Sequence, residues 1–146
     1  MTVPILLFDQ TLRNTVLADP AIHAAVSGQV YQDAAPVKAV PPYIIIAYNS
    51  PPRSIHDTQT GQMEAVYSVK AVVDVDVDGA ARALEIAQLL YDRLHDTKPD
   101  MTAGGWDVYR CQHETVFRFL EQVDRKNYQH AGGLYTLGAT QIVTVE

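Results

Sequence analysis

Three aspartates occupy alternate positions in Val73-Asp74-Val75-Asp76-Val77-Asp78. On a strand they share one face at a spacing of about 7 Å, and carboxylate oxygens are the ligands that calcium and magnesium take. Such sites draw their ligands from a loop folded round the ion, and beyond Gly79 no glycine turns this stretch into one. The row therefore reads as a solvated outer face that ends in a helix N-cap. The five histidines, His23, His56, His95, His113 and His130, show neither HxH nor HExxH spacing, so surface histidines are expected rather than a zinc site. Cys111 and His113 stand two apart, as a thiolate and its base would on one strand face. No third residue is evident to orient the pair, and a buried structural cysteine is the expectation. Gly104-Gly105 and Gly132-Gly133 lack the strand-glycine-helix context of a phosphate loop and read as turns. Arg53, Arg118, Arg125 and Lys126 are interrupted by acids and form no nucleic-acid patch. Trp106 and the eight tyrosines suit interface anchors, but several fall on core faces. No catalytic residue, metal ligand or cofactor site is assigned from these patterns.

The elements that would carry these residues centre on Ala65 to Asp96. Tyr67, Val69, Ala71, Val73, Val75 and Val77 share one face at period two, with Ser68, Lys70, Asp74, Asp76 and Asp78 on the other. After Asp78 the period becomes helical: Ala80, Ala83, Leu84, Ala87, Leu90, Tyr91 and Leu94 form one stripe. A strand that feeds a helix packing back on its sheet is an α+β building block. Upstream, Ile5, Leu6, Phe8, Leu12, Val16 and Leu17 predict a helix from Pro4 to Leu17. Asp19 and Pro20 then suit the cap and first turn of a short helix that ends at Ser27-Gly28. Gln29 to Pro42 reads as loop, and Tyr43 to Tyr48 as a strand buried on both faces or nearly so. Asn49 to Gly61 reads as a long exposed loop. Trp106 to Leu120 is strand-like with a bulge or turn at His113-Glu114, Gln122 to Gly133 a second excursion, and Leu134 to Val145 the last strand. The expected fold is a single α+β domain over residues 1–146, a mainly antiparallel four-stranded sheet packed by two helices, plus a short helix.

Composition sets limits on partners. With 146 residues, 47% of them hydrophobic, the chain supports one domain with its own core. Eleven basic against seventeen acidic residues leave a formal charge of −6, which disfavours binding by neutralising phosphates. One cysteine permits no internal disulfide and suits a reducing compartment. The longest apolar runs, Pro4 to Phe8 and Pro41 to Ala47, fall far short of a bilayer span, and the N-terminus lacks the basic region of a signal peptide. Neither a membrane partner nor secretion is expected.

The succession of Val30-Tyr31, Pro42-Tyr43-Ile44-Ile45-Ile46, a long polar loop, Tyr67-Ser68-Val69-Lys70-Ala71-Val72-Val73 and Ala80 to Leu94 resembles the tail-completion and tail-terminator proteins of long-tailed bacteriophages and gene transfer agents. The likeness is one of pattern and order over most of the chain. It implies a virion protein, assembled in the host cytoplasm, that forms a ring of six copies at the head-proximal end of the tail tube. There it would stop tube growth and meet the head-tail connector or stopper protein while DNA passes. On that resemblance, the candidate ring and tube contacts are Pro51, Pro52, Arg53, His56, Asp57 and Gln59 in the first long loop. Arg125, Lys126, Asn127 and Tyr128 are the candidates in the second excursion. Asp74, Asp76 and Asp78 would line an acidic lumen or face solvent, and an acidic channel, with six copies each at −6, would let DNA slide without sticking.

Three function classes stay open: the structural ring protein, a small enzyme or ligand-binding domain of ferredoxin-like type with a concave pocket, and an adaptor that adds a partner strand at a sheet edge.

Overall fold

In the computed structural model, which describes residues 5–54 and 61–142, helices cover one face of a single sheet. Helix α1 (Ile5–Leu17) buries Phe8, Leu12 and Val16, the i, i+4, i+8 stripe of its sequence. Helix α2 (Pro20–Val26) starts where expected. The Asp19 carboxylate accepts from the Ala21 and Ile22 amides at 2.9 and 3.2 Å, Pro20 fills the first turn, and Ser27 at φ 52° ends the helix.

Among the described residues the sheet has five strands rather than four, and it is mixed: β1 (Val30–Gln32), β2 (Tyr43–Ser54), β3 (Gln62–Asp74), β4 (Trp106–Val123) and β5 (Lys126–Gln141), in spatial order β1-β2-β3-β5-β4. Strand β1 lies inside the stretch expected to be loop and pairs parallel to β2, Val30 opposite Ile44. All other pairings are antiparallel. Central β3 alternates buried Met63, Ala65, Tyr67, Val69, Ala71 and Val73 with half-buried Glu64, Val66, Ser68 and Lys70. The Tyr67 hydroxyl donates to Asp9 Oδ1 at 2.7 Å, tying β3 to α1, and burial pushes its pKa far upward. In β2, Ile44, Ile45 and Ile46 are all buried, as the continuous apolar run predicts.

The strand period stops at Asp74. That carboxylate caps a one-turn helix α3 (Val75–Asp78), accepting from the Asp76 amide at 3.0 Å, and Gly79 at φ 80° leads into α4 (Ala80–Leu94). Asp76 and Asp78 are thus helical and exposed, and Val77, expected inside, is 77% exposed. Helix α4 buries Ala83, Ile86, Leu90 and Leu94 against the sheet and leaves Leu84 and Tyr91 on its flank. Its Arg93 donates to the Thr15 carbonyl at 2.9 Å, locking α4 to α1.

The second excursion is no loop. Gln122 to Gly133 forms the end of β4, a two-residue turn and the start of β5, with Val123 opposite Lys126. Asp124 and Arg125 have φ of 49° and 68°, the left-handed pair of a tight hairpin turn. Gly132 and Gly133 sit inside β5, not in a turn. At Gly132 a Cβ would collide with the Val69 carbonyl, and at Gly133 it would lie 2.6 Å from the His113 ring. The bulge near His113-Glu114 is present, between His113 and Thr115, with a second one between Val108 and Arg110. Of the expected long loop Asn49–Gly61, residues 49–54 continue β2 and 55–60 lie outside the described residues, as do Val143 and Val145 of the expected last strand.

Candidate assembly interface

Strand β4, eighteen residues long, is an edge: among the described residues no strand pairs with its outer side, where the 95–96 segment reaches only Cys111 and His113. Its first half is core: Trp106, Val108 and Cys111 are buried, and Phe8 meets Trp106 edge-on at 6.3 Å. Its second half is surface, with Val116 66%, Leu120 60%, Phe119 44% and Val123 47% exposed. Register assigns the sides. Val116 opposite Gly133 and Leu120 opposite Gln129 face the helices, while Phe117 opposite Gly132 and Phe119 opposite His130 face away.

On the side away from the helices, His130 is buried under Phe119, ring centroids 4.2 Å apart, and the Lys70 ammonium stands 5.2 Å from the Phe119 centroid. Glu121 Oε1 lies 3.4 Å from His130 Nε2. Burial, then the nearby Lys70 charge, lowers the His130 pKa, and burial lowers that of Lys70. Residues 33–41 close this groove of about 390 Å³, whose floor is Tyr43, Ile45, Lys70 and His130.

At the bulges, side-chain bonds hold the kinked strand. Tyr109 donates to Glu64 at 2.8 Å, Arg110 to Glu114 at 2.8 Å, and Thr136 to Glu114 at 2.9 Å. The His113 amide donates to His95 Nδ1 at 3.1 Å, so His95 fixes the bulge to the end of α4. Tyr91, His95, His113 and Tyr135 pack as one aromatic group, with His113 5.1 Å from Tyr91 and 5.2 Å from Tyr135. Burial lowers the His113 pKa, with His95 adding to the effect.

The predicted site residues separate into two ends of the sheet. Pro51, Pro52 and Arg53 belong to β2, Arg53 opposite Glu64, while His56, Asp57 and Gln59 lie outside the described residues. Arg125 is the second turn residue of the hairpin, and Lys126, Asn127 and Tyr128 open β5, with Tyr128 opposite Asp74. Glu64 and Asp74 are ten positions apart on β3, so the two groups stand about 33 Å apart by strand rise. Asp74, Asp76 and Asp78 form no row, and no group of three or more His, Cys, Asp or Glu that could hold a metal is found among the described residues.

Three histidines depart from the surface expectation: His130 is buried, and His95 and His113 are half-buried. Cys111 is buried as expected, and burial pushes its thiol up to about 12, so it stays a protonated hydrophobe at neutral pH. The sequence reading missed Lys70, Phe119 and His130 as a unit, and also Val116 and Leu120. Its one available signal was the run Phe117-Arg118-Phe119-Leu120, apolar at positions too exposed for a core strand.

A family model described as Tail completion protein gp17 matches residues 10–128. Among solved structures, a chain from the virion of a native gene transfer agent (GTA) particle has a TM-score of 0.72 at 12% identity, over 95% of this chain and 99% of that one. A second solved chain has a TM-score of 0.53 at 17% identity, over 97% of this chain and 94% of the other. At these identities both likenesses concern the fold alone. No curated protein matches the sequence.

Proposed function

The chain belongs to the Tail completion protein gp17 family of phage tail proteins, and on that premise we propose that it is a tail terminator. Copies of it, six in number, close into a ring on the head-proximal end of the tail tube, end tube polymerisation and offer the other ring face to the head-tail connector or stopper protein. The family match carries this reading. Its work is contact rather than catalysis, so it is not an enzyme and needs no cofactor.

Two features of the fold support the assignment. A subunit that ends a stack must meet the tube on one side and something different on the other. Of the candidate contacts, Pro51 to Arg53 and Arg125 to Tyr128 belong to opposite ends of the strands. The long β4 edge with exposed Val116, Phe119, Leu120 and Val123 is the kind of surface that subunit association covers. The fold likeness to a chain of a gene transfer agent virion supports a place in a particle of that kind. Asp76 and Asp78 are exposed and suit an acidic lumen past which DNA moves without adhering.

The test is to add the purified protein to polymerising tail tube protein and to image both. Closed rings near six protomers that sit at one end of shortened tubes are expected. A monomer at all concentrations, with tube length unchanged, overturns the assignment. For the lumen, reversing charge at Asp76 and Asp78 should leave rings intact and slow DNA delivery; unchanged delivery removes that role from them.

A further inference from the structure

Two apolar features lie on opposite faces of the sheet. On the helix side, Leu84, Ala87 and Tyr91 of α4 and Val116 of β4 surround a cavity of about 230 Å³ whose inner wall is His113 and Tyr135. It is open to solvent, and the side chains of Val116 and Leu84 in its wall are exposed. Gln88, in its wall, donates to the Asp92 carboxylate one helical turn further on at 2.8 Å, which sets one exposed negative charge beside the cavity. On the other face stands the connection 33–42 between β1 and β2. Gln29 clamps it, its amide donating to the Val40 and Pro42 carbonyls at 2.9 and 3.3 Å, and the Ala39 amide donates to Pro36. This held loop presents Val37, fully exposed, and Val40, with Lys38 between them. Among the described residues Lys38 makes no ion pair.

We infer that the 33–42 loop of one copy docks on the α4–β4 cavity of the next, with Val37 entering the cavity and Lys38 meeting Asp92 at its rim. The inference rests on the ring reading and names its contact. A valine is of a size that such a cavity takes, and the loop is already ordered, so docking costs little conformational entropy. The opposite charges of Lys38 on the loop and Asp92 beside the cavity fix the register. Because the patches lie on opposite faces of the subunit, the contact is heterologous, and repeating it generates a ring or a filament, never an isolated two-fold dimer.

The experiment uses the full chain with Cys111→Ser, carrying either Val37→Cys or Gln88→Cys, each alone and the two mixed, treated with a short bismaleimide. Ring mass is followed in parallel by light scattering. Cross-linked pairs in the mixture, with none in either variant alone, are expected. Rings that form but do not cross-link in the mixture overturn this contact and leave the ring reading standing, as do cross-links within a single variant. Absence of any association overturns both. An independent arm exchanges charge. Lys38→Asp and Asp92→Lys should each weaken assembly about tenfold, and the double variant should recover it; failure to recover sinks the rim pairing. Both positions are exposed, so circular dichroism of the monomer should not change.

Discussion

The two halves of the β4–β5 hairpin share strands, pairing and turn chemistry, yet one is core and the other is surface. From Trp106 to Cys111 and from Tyr135 to Ala139 the helix-facing residues are buried beneath α1 and α4. From Val116 to Val123, beyond the bulge at His113, α4 flanks the same face without covering it, and Val116 and Leu120 meet solvent. Apolar residues in the first half stabilise the fold. Those in the second half contribute little to the isolated subunit, as on a surface kept for contact between copies under the ring reading proposed above. If that division is right, substitutions on the two halves should move different observables.

The largest effect is expected in the covered half. Leu137 is fully buried, and Leu137→Ala should cost about 2–5 kcal/mol through lost transfer energy and the cavity left behind. Urea unfolding followed by circular dichroism measures it. A loss of only a few tenths would mean that this half is not the core the packing indicates.

Next comes the pH dependence at the boundary. His113 at the bulge and His130 on the opposite face are held below the usual histidine pKa of 6.5, in each case chiefly by burial. The unfolded chain then binds protons before the folded one does, so stability is full above about pH 7 and falls as pH drops from 6.5 toward the folded pKa values. His130→Gln should flatten part of that decline, seen as a smaller difference in urea midpoint between pH 7.5 and 5. An unchanged slope in the variant would remove His130 as a source of the decline.

The turn should respond in the other direction. Arg125 holds a left-handed φ of 68° that a side chain disfavours, and Arg125→Gly should raise stability by about 0.5–1 kcal/mol. Thermal unfolding reads it, and a lower melting temperature would show that the arginine side chain has a partner worth more than the strain.

Legibility in the sequence follows the same division. Where one face is buried, period carries the information. Strand β3, helix α4, the Asp19 cap and buried Cys111 were all readable because alternation, a 3.6-residue stripe or a capping residue marks each. Where neither face is fully buried, it does not. Gln122 to Gly133 mixes polar residues, an Asp-Arg turn without glycine and two in-strand glycines, so neither its pairing with β4 nor that of β5 with β3 shows in its own pattern. The three residues of β1 are too short for a period. The Val-Asp alternation from 73 to 78 misled because a carboxylate at Asp74 caps a turn as readily as it faces solvent, and the α3 turn won. Arg125 to Tyr128 were legible as part of a polar stretch, but not as lying at the far end of the sheet from Arg53, since that separation is set by register.

The smallest effect on the subunit is also the one that separates the halves most sharply. Val116 lies two-thirds exposed on the uncovered half, five residues along β4 from buried Cys111. Val116→Ser removes little buried area, so the monomer's unfolding midpoint should shift by no more than about 0.5 kcal/mol. The same change puts a hydroxyl in the wall of the cavity that the neighbour's Val37 is inferred to enter, and ring formation should need at least about tenfold more protein. Parallel denaturation and light scattering on one preparation make the comparison. A variant that loses stability like Leu137→Ala but assembles normally would reverse the roles of the two halves. One that changes neither would leave the exposed stripe of β4 without a part in holding copies together.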